Sequence, residues 1–470
     1  MKLFLIILGI SIIFPSLASK KTCEKNFLHE IYAYGDELAS ESLSQYVNLD
    51  VNPCDDFYNY ACGTWLNKKD KKVKGEYNFH EHMKDVYNGK FNGKSEAIKK
   101  VNEMRKKCND LGEDYRNDCI KKVDNFGYYA FASFFVRRMK DTLETYTCFK
   151  SIKETIRHIK KQFKILLKEK KNLLDKITMK NYLLKIDNMK FEVSDFYLEN
   201  LRNKTSMEKC YKYFKFSSKK DDVKKMLSNM KNYASFIPSK DKKSKVRCVD
   251  FIVNSESNGV KLEFLIDNYA FYLPEMNTLY FNPTICNNRC HNVYYSKLFN
   301  YGCSGFTIAH EMFHAFDSEG MNFDYNGKEN YDVTTDYSRN IFNNRSKCFV
   351  KMYGNKFNNF LTLDEDIADN GGIKIAHRLF IEGKKRLKCS NRVIPKFEKL
   401  TQEQLFYINL ARSICKNPNE NPDKPDDENY EGNPKDFRIW KVLSNSKSFA
   451  KAFQCKVGEK MNPKDKCEFW

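Results

Sequence analysis

The clearest periodicity in the chain runs through Ile152, Ile156, Ile159, Phe163 and Leu166, apolar positions four and three residues apart. Positions so spaced fall on one side of an α-helix. The stretch therefore predicts an amphipathic helix that docks one apolar stripe and turns Lys153, Arg157, Lys160, Lys161 and Lys164 to other faces. Further helical pattern runs from Leu173 to Met189. Later the period changes. Val260 to Phe264 alternates at period two, and the aromatic-rich pieces Ala270 to Leu273 and Thr278 to Phe281 flank Pro274-Glu275-Met276-Asn277. Two short strands around a turn are expected there. Residues 238–247 are polar and lysine-rich and read as a loop or boundary, and Asn417 to Pro434 is a loop rich in Pro, Asn and Asp. There is no internal repeat.

The first residues follow a different pattern. Lys2 precedes an apolar run from Leu3 to Phe14 that leads into Ser16-Leu17-Ala18. This reads as a secretory signal peptide, too short and wrongly flanked for a membrane anchor. No later segment has a membrane-spanning length of uninterrupted apolar residues. A secreted, extracellular protein is expected. At 470 residues and 55.5 kDa it is long enough for a sizeable core and two domains. Its 16 cysteines suit an oxidising compartment, where most should pair. Sequons at Asn203 and Asn344 predict glycans on surface loops.

The formal net charge of +20 raises the question of anionic partners. No nucleic-acid motif is present, and the lysines read as spread widely over a solvated surface. Attachment to anionic polysaccharide through that surface is an additional partner expectation.

Candidate chemistry centres on residues 307–320, TIAHEMFHAFDSEG. On a helix, His310 and His314 stand one turn apart on one face and can present two imidazoles to one metal. Glu311 then lies where it can act as general base towards a water. A catalytic zinc needs a third protein ligand and an open position. The extension H-E-x-x-H-x-x-G-x-x-H is excluded, because its Gly and His places hold Asp317 and Gly320. The alternative is a glutamate from a second helix. Glu365, 51 residues after His314, opens the run EDIADNGG, with Asp369 four residues on and on the same face. Glu365 can ligate, Asp369 can fix the tautomer of a ligand imidazole, and Asp317 can do the same for His314.

These residues, with NPCDDFYNYACGTW near the start and MNPKDKCEFW at the end, resemble the neprilysin and endothelin-converting-enzyme family of zinc metallopeptidases. The resemblance implies a mainly α-helical (α+β) chain: a thermolysin-like zincin catalytic domain with a small edge-strand sheet, and a reduced helical second domain. The division expected is a signal peptide at 1–18, an N-terminal segment tied to the catalytic domain at 19–75, the helical domain at 76–235 and the catalytic domain at 236–470. The resemblance further implies one zinc ion held by His310, His314 and Glu365, with Glu311 as base, Asp369 as orienter and Arg438 on a substrate carbonyl. Peptides are the implied substrates, with Ala270, Phe271 and Tyr272 binding their backbone. Pairings Cys54–Cys455, Cys62–Cys415, Cys348–Cys467 and Cys108–Cys148 are also implied. Cys23, Cys119, Cys210, Cys248, Cys286, Cys290, Cys303 and Cys389 receive no family partner.

Four departures from the family pattern matter. The chain is shorter by well over two hundred residues. The asparagine place beside Ala270 holds Tyr269, with Asn268 shifted by one, which turns that side chain to the opposite face of a strand. The histidine place six residues before Arg438 holds Gly432, removing a donor to the developing oxyanion, a loss that typically costs about 10²–10³ in turnover; Tyr430 is a candidate substitute. Ile414 also stands where a Trp is common, before Cys415. Two functions follow: a secreted zinc metalloendopeptidase, slowed by the missing histidine, or a catalytically weak or inactive homologue that binds peptides.

Overall fold

The computed structural model describes residues 26–67, 79–140, 143–193, 201, 203–253, 270–281, 286, 290–353, 362–386, 392–415 and 435–470. The first helices are α1 (Asn26–Leu43), α2 (Phe57–Leu66), α3 (Phe79–Tyr87), α4 (Glu96–Cys108), α5 (Glu113–Lys140), α6 (Leu143–Glu169) and α7 (Lys176–Asn188). Then come β1 (Lys190–Val193), α8 (Lys204–Tyr213), α9 (Val223–Lys231), α10 (Lys242–Ile252), β2 (Ala270–Leu273) and β3 (Thr278–Phe281). Last are α11 (Lys297–Asn300), α12 (Phe306–Phe313), α13 (Asp336–Tyr353), α14 (Leu363–Arg386), α15 (Gln402–Ile414), α16 (Lys435–Ser444) and α17 (Lys447–Phe453).

The apolar stripe of α6 behaves as its spacing requires: Ile152, Ile156, Ile159, Phe163 and Leu166 are all buried. Phe163 meets Phe313 with ring centroids 4.1 Å apart, so α6 supports the helix that carries His310 and leads into the short 3-10 turn that begins at His314. β2 and β3 form the expected hairpin, with Ala270 opposite Phe281 and Asn277 in the left-handed conformation at the turn (φ 45°). The sheet gains a strand the pattern did not reveal. β1 lies parallel to β3, giving the order β1-β3-β2 and leaving β2 at an edge among the described residues. The alternating stretch 260–264 lies outside the described residues.

Helices α3, α4 and α5 pack with α8, α9 and α10 into one bundle. The lysine-rich stretch around 242 is helical rather than a loop. Asp241 caps α10 by accepting from Ser244 N, and Cys248, Phe251 and Ile252 are buried beneath the charged positions. Lysine tolerates a helix well, so charge density concealed an amphipathic element.

The N-terminal segment is fastened to the last helices. Phe57 packs edge-on against Phe449 and Phe453 at 4.8 and 5.0 Å, and disulfides join Cys54 to Cys455 and Cys62 to Cys415. Cys348 joins Cys467, and fully buried Trp470 then packs 5.1 Å from Phe313. One implied pairing is corrected. Cys108 bonds Cys119, and Cys148 bonds Cys286. Cys108 ends α4 and Cys119 lies near the start of α5, so the α4–α5 turn brings them together at a separation of 11 residues. Cys210–Cys248 ties α8 to α10, and Cys290–Cys303 closes the last pair, so Cys286 and Cys290 do not bond each other. Cys23 and Cys389 lie outside the described residues. Among those described, no helix is long and apolar enough to cross a membrane.

Candidate metal centre

The site forms where α12 crosses α14. Gly371 and Gly372 permit that approach: a Cβ on Gly371 would stand 2.5 Å from the Phe313 ring, and one on Gly372 3.0 Å from the His310 backbone nitrogen. With side chains at these places the two helices would have to separate, taking Glu365 away from the histidines. Ahead of α12, one wide π turn, Tyr301–Gly305, links it to α11.

His310 and His314 face each other with their Nε2 atoms 3.2 Å apart. His310 Nε2 is 3.4 Å from Glu365 Oε2, and His314 Nε2 is 3.4 Å from Glu365 Oε1. A tetrahedral zinc with bonds of about 2.0–2.1 Å sets its ligand atoms about 3.3–3.4 Å apart. The two Nε2 atoms are spaced as two ligands of a zinc tetrahedron, and one Glu365 oxygen lies near each, so one atom from each of the three residues falls within 4.8 Å of the other two. A carboxylate lies beside each outer nitrogen. His310 Nδ1 lies 2.8 Å from Asp369 Oδ1, and His314 Nδ1 lies 2.8 Å from Asp317 Oδ2. A proton kept on Nδ1 leaves Nε2 as the donor towards the metal.

Electrostatics point the same way. Burial opposes charge on His310, yet Glu365 and Asp369 hold its pKa up at about 9. Burial opposes charge on His314 too, but Asp317 and Glu365 hold it well above the usual imidazole range. The cluster thus demands positive charge at the point where the three donors converge, and a divalent cation there would replace those protons. Burial raises the Glu311 carboxyl, with His310 and His314 pulling it down. For Asp369, Arg438 and His310 outweigh burial and hold the pKa below the ordinary carboxylate value.

The second tier is more extensive than the motifs suggest. Arg438, in the first turn of α16, reaches Asp369 through Nε at 2.7 Å and Nη2 at 2.8 Å, and stands 3.4 Å from Glu365 Oε2. Three residues on, Lys441 forms an ion pair with Asp366 at 3.0 Å, each side chain only 2% exposed. On the other side, Asp317 Oδ1 accepts from Gly320 N at 2.7 Å. Lys185 from α7 donates to the carbonyls of Gly320 and Phe323 at 2.6 and 2.8 Å, fixing the loop that carries Asp317. Burial lowers the Lys185 pKa to about 7, against Asp317 and Asp324. Lys185 and Lys441 look like ordinary surface lysines in the sequence; the one available signal is that Lys441 shares a helix face with Arg438.

β2 packs beside α12. Ala270 and Tyr272 turn inward, Tyr272 donating to Asn277 Oδ1 at 2.9 Å, while Phe271 stacks on Tyr280 at 5.2 Å. Asn268, Tyr269, Tyr430 and Gly432 lie outside the described residues. Asn203 is exposed at the cap of α8. Asn344 is also exposed, but on helix α13 rather than a loop.

Residues 269–469 match the model of peptidase family M13. Neprilysin-3 of Drosophila melanogaster is 33% identical over 238 residues, 48% of this chain and 29% of that protein. Mouse neprilysin is 34% identical over 210 residues, 43% of this chain and 28% of that protein. The matched stretch thus spans less than a third of the length of these curated relatives. Among solved structures, a zinc metalloprotease of Mycobacterium tuberculosis in complex with inhibitor superposes with a TM-score of 0.51 at 17% identity, covering 77% of this chain and 52% of that one. A galactose-containing glycoprotein complex of Haemonchus gives 0.53 at 23% identity, covering 77% and 56%. These two likenesses show the fold. Over residues 269–469 this chain is thus similar to peptidase family M13, with neprilysins among the relatives it resembles.

Proposed function

We propose that this protein is a secreted zinc metalloendopeptidase that binds one zinc ion per chain and hydrolyses peptide bonds in peptides or small proteins. The observation that carries the reading is the convergence of His310, His314 and Glu365, whose ligand atoms lie within 4.8 Å of one another, with a carboxylate oxygen 2.8 Å from each outer imidazole nitrogen. Extracellular location rests on the apolar leader and on the disulfides.

Zinc, when bound, supplies a Lewis acid that polarises a carbonyl and makes water acidic at neutral pH. His310, His314 and Glu365 hold it. Glu311, beside His310 in the cluster, takes the proton of the attacking water and passes it to the leaving amine. Its raised pKa suits that exchange. Asp369 and Asp317 keep the imidazoles oriented. Arg438 braces Asp369, and the same guanidinium is the candidate contact for a substrate carbonyl. A peptide lying along the edge strand β2, at Ala270, Phe271 and Tyr272, would pair through its backbone and be delivered to α12.

The second reading, a weakly active or inactive homologue that captures peptides, is supported by Gly432 and Tyr269, which take the places of two substrate-facing residues in the family pattern. A fluorogenic peptide mixture separates the two. Turnover that disappears on chelation and returns with one equivalent of zinc supports the peptidase; zinc-dependent binding without turnover supports capture.

A further inference from the structure

The charge of this chain is not spread evenly. Residues 150–190 hold 13 Lys and Arg against 4 acids, and residues 204–247 hold 14 against 4, leaving the rest of the chain nearly neutral. Structure separates the two stretches. In the first, part of the charge serves contacts between elements: Lys161 pairs with Glu382, Lys164 with Asp187 and Lys170 with Glu468, and Lys185 is buried, while Lys150, Lys153, Arg157 and Lys168 stay exposed. In the second, Lys204, Lys209 and Arg247 are engaged, but the middle of the stretch is not. The ten lysines from Lys212 to Lys243 are all exposed, and none forms an ion pair among the described residues.

The acids of that stretch are already engaged. Asp221 accepts from Ser217 N and Asp222 from Lys225 N, while Asp241 is taken by Lys209 and Tyr213. Those contacts also gather the lysines. Asp241 brings the start of α10 to α8, and Asn229 of α9 donates to the Lys215 carbonyl just past the end of α8. Lys224, Lys225, Lys242 and Lys243 occupy the first turns of α9 and α10, where the helix dipole disfavours positive charge. Crowding like charges there opposes folding, which makes an external anion the natural counterpart.

We infer that this face of the helical bundle, built on the ends of α8, α9 and α10, is a docking surface for a linear sulfated polysaccharide. Two other polyanions fit less well. Single-stranded nucleic acid calls for exposed rings on which bases stack, and a membrane calls for exposed apolar side chains beside the lysines. Among the described residues from 204 to 247, Val246 is the one large hydrophobic side chain strongly exposed, which makes no apolar patch beside the lysines.

The test compares two quadruple variants that lose equal charge. One is Lys219→Gln, Lys220→Gln, Lys224→Gln, Lys225→Gln. The other, on α6, is Lys150→Gln, Lys153→Gln, Arg157→Gln, Lys168→Gln. Both sets are exposed, and thermal melting checks that each variant folds. On a sulfopropyl exchanger the two should elute alike. On immobilised heparin the first should elute at clearly lower salt than the second, and desulfated heparin should not retain the wild type. Equal elution from heparin would reduce the effect to net charge and overturn the proposal. So would RNA or anionic vesicles competing better than heparin. Both readouts are independent of peptidase activity.

Discussion

Arg438 grips Asp369 with two hydrogen bonds, at 2.7 and 2.8 Å, and Asp369 in turn lies 2.8 Å from His310 Nδ1. An arginine on α16 is thereby linked to an imidazole on α12 through a carboxylate on α14, the chain of contacts on which the proposed orienting role rests. Orientation of the candidate metal ligand depends on three helices, which is why changes outside the H-E-x-x-H motif should register at the metal.

Asp369→Asn keeps the shape but removes the charge that both His310 and Arg438 use. Loss of such an outer partner typically weakens metal binding about 10–100-fold. Competition with a chromogenic chelator should show a loss of that size. Wild-type affinity in this variant would mean that the contact does not support the ligand.

Lys441 and Asp366 form a buried pair at the α14–α16 crossing, and removing one partner strands the other. Breaking such a pair costs about 3–5 kcal/mol. Lys441→Met should therefore lower the urea midpoint sharply, and adding Asp366→Leu should recover most of the loss. A double variant as unstable as the single one would show that packing, rather than the stranded charge, carries the effect.

His291 is buried against Ser304, its Nδ1 2.8 Å from the hydroxyl, and burial pushes its pKa down to about 4. In the unfolded chain it takes a proton near pH 6.5. Between pH 6.5 and 4 the unfolded state binds more protons, so this group makes stability fall as the pH falls across that window. The contribution is roughly 3 kcal/mol at about 1.4 kcal/mol per pKa unit. Stability curves of wild type and His291→Gln should converge as acid is added from pH 6.5 to 4, and parallel curves would show that His291 titrates normally.

How far the sequence could be read depended on whether function or packing chose the residue. His310, Glu311, His314 and Glu365 stood out because metal chemistry restricts both residue type and spacing, and the hairpin at Pro274 to Asn277 because turns restrict backbone angles. Strand β1 was not legible: four residues following a helix give too short a pattern to register, and its pairing with β3 is a tertiary event. Helix α10 was hidden by its lysines. The Cys108–Cys119 bond was missed because proximity across a helical turn is set by this chain's own bundle, whereas the implied pairing came from longer relatives. Lys185 and Lys441 escaped because burial, which gives a lysine its significance, leaves no trace in the residue type.

The most direct test of the proposed activity is digestion of a mixed peptide library by the zinc-loaded protein, read by mass spectrometry beside Glu311→Gln. The substitution keeps the size of the side chain and all three candidate ligands while removing the base. Wild-type protein should produce cuts that vanish in the variant, with both binding one zinc per chain. Equal cutting by the two proteins would contradict the role of Glu311, and no cutting by zinc-loaded wild type would contradict the peptidase itself.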